Sequence, residues 1–132
     1  EIIEQIDVIG DPYKAAGWYN FSECIHTVSI SLSNFVGRIV LEGSLSIDPS
    51  DDDWFSLNVN GTEYLQWPDG GVPLNQSGSN IYGGVTGTFG YTFQSNITWI
   101  RARVWRSYWL TGPLTNEQWM NIGAVKYITV CM

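Results

Sequence analysis

Asp48, Asp51, Asp52 and Asp53 crowd into one short stretch, and clustered carboxylate oxygens are what a hard cation such as calcium takes. The run lacks the glycine-punctuated spacing of a calcium loop, and aspartate is favoured in turns on backbone grounds. A solvated turn is therefore the preferred reading and a calcium site the weaker one. Glu42 with one of these aspartates could supply the two facing acids that glycoside hydrolysis needs, but the spacing singles out no such pair. His26 is the sole histidine; it has no nucleophile placed near it and reads as a structural strand residue. Cys24 and Cys131 open one expected strand and close another. With no C-x-x-C pair in the chain, two buried thiols are expected rather than a metal site. No catalytic residue and no cofactor is expected.

The aromatic and basic residues carry more. Trp18, Trp67, Trp109 and Trp119 fall in or beside expected loops, whereas Trp54, Trp99 and Trp105 belong to strands or their edges. Tryptophans on the loops of a β-sandwich could stack on sugar rings, and Trp18, Trp67 and Trp109 form that candidate set. The alternative is a protein interface, where Trp, Tyr and Arg are enriched. Arg106 beside Tyr108-Trp109-Leu110 has the composition of an interface anchor, so Trp67, Arg106, Tyr108, Trp109, Leu110 and Trp119 are interface candidates, preferred over a sugar site. Arg101, Arg103 and Arg106 form the only basic cluster and are expected to pair with nearby carboxylates or with a neighbouring subunit.

The net charge is −7 with only two lysines. A phosphate-neutralising surface needs clustered basic residues, so nucleic acid is an unsuitable partner. No run approaches the ~18 apolar residues of a membrane helix, and no membrane partner is expected. At 132 residues the chain has the length of one domain. Charged residues make up 14% against about 25% in an average soluble domain, a composition closer to extracellular or virion β-proteins than to cytoplasmic enzymes. The sequence opens on Glu1 rather than Met, which leaves open both a removed leader and a longer parent chain.

The elements that must position these side chains read as strands. Val28, Ile30 and Leu32 alternate with Thr27, Ser29 and Ser31, the period of a half-buried strand. Ser33-Asn34 supplies turn chemistry, and beyond Gly37 the residues Ile39, Leu41 and Gly43 alternate with Arg38, Val40, Glu42 and Ser44, so a hairpin is expected here. Asn60-Gly61 between Phe55 to Val59 and Glu63 to Trp67 is a second hairpin signal, because both residues tolerate positive φ. Val85 to Phe93 and Ile97 to Trp105 are expected to pair across Gln94-Ser95-Asn96. Ile2 to Ile9 and Val125 to Cys131 are the first and last strands. The long segment Trp67 to Gly84 reads as a loop and a contact surface, and Thr115 could cap one short helical turn within Tyr108 to Asn121. Sequons at Asn20, Asn60, Asn75 and Asn96 are read as chance in a chain rich in Asn, Ser and Thr. About eight strands with these turn signals imply an all-β, antiparallel sandwich in a single domain 1–132, with jelly-roll or related Greek-key topology.

The string H-T-V-S-I-S-L-S-N-F-V-G-R-I-V-L-E-G-S-L, followed by D-P-S-D-D-D-W-F and later N-I-T-W-I-R-A-R-V, resembles small β-sandwich virion proteins of tailed bacteriophages, especially those infecting marine cyanobacteria. The similarity covers about residues 17 to 106. It implies a non-enzymatic capsid decoration, tail or fibre-associated component located in the virion, which contacts other virion proteins and copies of itself and so forms a homo-oligomer or larger assembly. It transfers no catalytic residue. The Trp-rich segment after Arg106 departs from the pattern and is the expected partner-specific part. The competing expectation is an extracellular carbohydrate-binding module.

Overall fold

The structure, a computed structural model, describes residues 7–20, 22–67, 84–106 and 123–132. Among the described residues there are nine strands: β1 (Val8–Ile9), β2 (Tyr13–Lys14), β3 (Ile25–Phe35), β4 (Gly37–Ser44), β5 (Phe55–Ser56), β6 (Leu65–Trp67), β7 (Val85–Gln94), β8 (Trp99–Trp105) and β9 (Ala124–Cys131). They form two antiparallel sheets. In the larger, β4 and β8 lie side by side in the centre; β1 and β2 line the far edge of β8, and β5 and β6 line the far edge of β4. In the smaller, β3 lies between β7 and β9. The expected all-β sandwich is thus the observed architecture.

Alternation explains the layers. His26, Val28, Ile30 and Leu32 of β3 are buried, as are Ile39 and Leu41 of β4, because one face of each strand meets the other sheet. Val85, Phe89, Tyr91 and Phe93 of β7 pack on the same core, as do Val125, Ile128 and Val130 of β9. Full burial of one such aliphatic side chain contributes about 1.5–3 kcal/mol.

Two expected hairpins are absent. β3 pairs with β7 and β9, while β4 pairs with β8, β5 and β6, so the segments on either side of Ser33-Asn34 belong to opposite sheets. The chain does not reverse there; it crosses between layers through Phe35 and Val36, both fully buried. Asn34 at φ +51° and Gly37 at φ +151° supply the bend. A Cβ on Gly37 would lie 2.8 Å from Cγ of Arg106, so the site requires glycine on two counts. The segment after β7 behaves in the same way. It crosses to the larger sheet through Ile97, which is buried over Gly43, where an added Cβ would come within 2.7 Å of the Ile97 side chain. A period of two reports which face a residue takes but not which strand it pairs with.

The Asn60-Gly61 turn is as expected. Both residues have positive φ, and Val59 and Thr62 exchange backbone hydrogen bonds of 2.8 and 3.1 Å across it. The flanking strands are short, however, and β5 and β6 each pair with β4 rather than with one another. β1 covers only Val8–Ile9 of the expected first strand; Asp7 is described as a bend before it, and Ile2 to Ile6 lie outside the described residues. Residues 68–83 of the expected contact loop, and residues 107–122 with the expected helical turn, also lie outside them.

The two thiols correct a further expectation. Cys24 is half-buried and Cys131 is exposed, and the two are not joined by a disulfide. Positive φ at Cys24 breaks the alternation that would have turned its side chain inward, and its Sγ lies 3.5 Å from Asn96 Oδ1 as donor.

His26 is a structural residue in the sandwich. Its Nε2 accepts a hydrogen bond from the Ala16 amide at 3.2 Å, and its ring stacks on Phe93, its partner in the β3–β7 register, at 5.1 Å. With Nε2 accepting, the proton of the neutral ring sits on Nδ1. Burial lowers the pKa below the ordinary 6.5, partly opposed by the backbone carbonyl of Cys24. As pH falls through 6.5 the unfolded chain takes up the proton first. The stabilisation is complete above that pH and is lost as pH drops toward the folded-state pKa. The urea midpoint should therefore fall from about pH 7.5 to about pH 5.5, and His26→Gln should flatten that dependence. An unchanged slope in the variant would remove His26 as its source.

Candidate functional site

The outward-facing residues of the larger sheet follow from its register. β4 and β8 pair Arg38 with Trp105, Val40 with Arg103, Glu42 with Arg101 and Ser44 with Trp99. Since Ile39, Leu41, Ile100, Ala102 and Val104 point into the core, these eight residues form the opposite face. β6 adds Gln66, the register partner of Arg38.

Their side chains form a continuous layer. Glu42 is mostly buried and accepts from Nε of Arg101, directly across the ladder, at 2.7 Å and from Nε of Arg103, on the diagonal, at 3.1 Å. Each arginine also lies over an aromatic ring. Arg101 is 4.2 Å from the Trp54 ring centre, and Arg103 is 5.6 Å from that of Trp105. Arg38 is 4.0 Å from Tyr64 and 4.7 Å from Trp105, with its Nε donating to Gln66 Oε1 at 2.8 Å. Tyr64 meets Trp105 edge to face at 6.2 Å. Val40, the small residue of this layer, is only 2% exposed. Cation–π contacts contribute about 0.5–2 kcal/mol each depending on desolvation, so the rings and guanidinium groups hold one another in place.

The face continues past Trp99, whose Nε1 donates to the Ile47 carbonyl at 2.9 Å. Trp18 packs edge-on against Trp99 at 5.3 Å, and Lys14 Nζ sits 4.4 Å above the Trp18 ring. Chemically this is a half-exposed platform of flat rings and fixed guanidinium groups. With three arginines and one carboxylate it is locally basic in a chain of net charge −7.

The sequence candidates distribute unevenly over this geometry. Trp67 lies in the core, 5% exposed, edge-on to Phe35 at 6.2 Å and tilted against Phe89 at 5.7 Å. Arg106 is also buried. Its amide donates to Asp7 Oδ1 at 2.8 Å, its Nη2 to the Gly123 carbonyl at 3.3 Å, and its guanidinium lies 4.8 Å from the Phe35 ring centre. It ties the start of β1, the entry to β9 and the crossover together. Trp18 is at the surface, 38% exposed. Tyr108, Trp109, Leu110 and Trp119 lie outside the described residues.

Asp48, Asp51, Asp52 and Asp53 occupy an exposed turn. Asp53 Oδ2 is engaged by the Ser50 amide at 2.8 Å and its hydroxyl at 3.1 Å, the reciprocal half of a capping box. Among the described residues no group of three or more His, Cys, Asp or Glu side chains gathers as a metal site. The expectation that arginines would pair with carboxylates holds for Arg101 and Arg103, and it places Glu42 between them rather than opposite a loop aspartate. Sequence reasoning noted the arginines and the strand tryptophans but did not join them. The signal was present in W-I-R-A-R-V-W, which at a period of two puts Trp99, Arg101, Arg103 and Trp105 on one side.

Comparison with family models, curated proteins and solved structures found no match to this chain.

Replacing Glu42 by Gln keeps the shape and leaves two guanidinium groups facing a neutral amide. Urea unfolding should show a loss of roughly 1–3 kcal/mol. Arg103→Gln, at the more exposed pair, should lose less than Arg101→Gln. Equal stability of wild type and Glu42→Gln would show that the layer does not depend on this ion pair.

Proposed function

We propose that this chain is a non-enzymatic structural protein of a virion, a capsid decoration or a tail- or fibre-associated component of a tailed phage that assembles in many copies. Its docking surface is the arginine–aromatic face of the larger sheet. The observation that carries this reading is the ordered row Trp54, Arg101, Glu42, Arg103, Trp105, Arg38 and Tyr64. These residue types dominate protein interfaces energetically. Side chains already locked by mutual stacking lose little conformational freedom when a partner covers them. Such a face suits contacts with neighbouring virion proteins and with other copies of the chain. The similarity of the β3, β4 and β8 strings to phage β-sandwich proteins supplies the virion context.

A carbohydrate-binding role in an extracellular setting is the second reading, favoured by Trp18 and Trp99 with Lys14 at one end of the same face. Rings of this kind also stack on sugars, and the same face would then take a glycan.

Light scattering over a dilution series should give a defined oligomer, or a complex with isolated virion proteins. Tyr64→Ala and Trp54→Ala should weaken it by roughly tenfold or more, the effect of a residue contributing above about 1.4 kcal/mol. A monomer at every concentration that binds no virion component, with tryptophan fluorescence quenched by a glycan, would replace the assembly role by the carbohydrate one.

A further inference from the structure

Arg103 is held by one edge of its guanidinium. Its Nε donates to Glu42 at 3.1 Å, and among the described residues no hydrogen bond uses its two Nη groups. The side chain is 28% exposed against 15% for Arg101, so its Nη fork is the more accessible of the two. A guanidinium fixed in this way is already oriented to receive a carboxylate on two parallel hydrogen bonds. Arg101 lies two residues away on the same side of β8, about 7 Å along the strand, and the Trp54 ring sits over it at 4.2 Å. One face of that half-buried ring rests on Arg101 and the other is turned away from the sheet. Asp51 and Asp52, just before Trp54, are exposed. Among the described residues neither carboxylate has a hydrogen-bond or ion-pair partner.

We infer, resting on the carbohydrate reading above, that this corner of the face binds a glycan through a sugar that carries a carboxylate, of the hexuronic acid class. The sugar ring lies on the outer face of Trp54, its carboxylate takes the Nη fork of Arg103, and its hydroxyls donate to Asp51 and Asp52. The three contacts fix a direction, because the aspartates repel the carboxylate and leave it only the Arg103 side. They also discriminate between ligand types. A neutral sugar leaves the fork unused, and an acidic protein side chain offers no hydroxyls to the two aspartates. One carboxylate suits the local charge, since the layer holds three arginines to the single Glu42, whereas the net charge of −7 opposes a polyanion. The remaining charges of this region border the layer at the edge strands: Lys14 over Trp18, Asp7 at the Arg106 amide and Glu63 beside Tyr64.

The test titrates the full chain, by tryptophan fluorescence and calorimetry, with an oligosaccharide ending in glucuronic acid and with its neutral counterpart ending in glucose. The acidic sugar should bind roughly tenfold tighter or more, the effect of a hydrogen-bonded charge. Arg103→Gln should abolish that preference and leave binding of the neutral sugar unchanged, while Trp54→Ala should weaken both. Circular dichroism should show both variants folded. If Arg103→Gln does not fold, Arg103→Lys keeps the charge without the fork and should lose most of the preference. Equal binding of the two sugars overturns this inference and leaves the carbohydrate reading intact. A preference that survives loss of the fork overturns the assignment to Arg103. Binding of neither sugar by a protein that forms a defined oligomer overturns both and leaves the face to protein contacts.

Discussion

The register between β4 and β8 is the constraint on which the rest of this sandwich depends. Side chains alternate with a period of two, so a slip of one residue would send Ile39, Leu41, Ile100 and Val104 outward and the arginines into the core. Glu42 resists that slip from outside, where Arg101 and Arg103 hold its two oxygens. Hydrophobic burial holds it from inside. The same pairing orders the aromatic face, because each guanidinium fixed by Glu42 is also placed over a ring. Fold and candidate site are two sides of one ladder.

The crossovers set the layers at a distance. The chain twice leaves the smaller sheet for the larger, after β3 and after β7, and each time it buries the residue in transit, Phe35 or Ile97, against a glycine of β4. Arg106 fills the space that Gly37 leaves and reaches both Asp7 and Gly123. Its charge is used within the fold, which explains why a residue with the composition of an interface anchor is buried. Trp67 follows the same logic: its place on β6 opposite Gly37 turns it into the core against Phe35 and Phe89.

The two sides of the larger sheet differ in chemistry. The larger sheet presents rings and guanidinium groups that hold one another in place. On the other side of that sheet, Tyr13 of β2 and Val125, Ile128 and Val130 of β9 line an apolar cavity of about 270 Å³.

The sequence by itself determined the strand class, the faces and the Asn60-Gly61 turn. Alternation of apolar and polar residues and the tolerance of Asn and Gly for positive φ are local properties. It placed the inward sides of β3, β4 and β7 correctly for the same reason. The tertiary structure alone decided which strands pair, since Ser33-Asn34 and Gln94-Ser95-Asn96 have turn composition yet carry the chain between sheets. It also decided that Trp67 and Arg106 are interior and that Arg38, Arg101, Arg103, Trp54, Tyr64 and Trp105 form one layer. Those residues come from distant segments, and only the β4–β8 register and the approach of β5 and β6 to β4 bring their rings and charges within contact of one another.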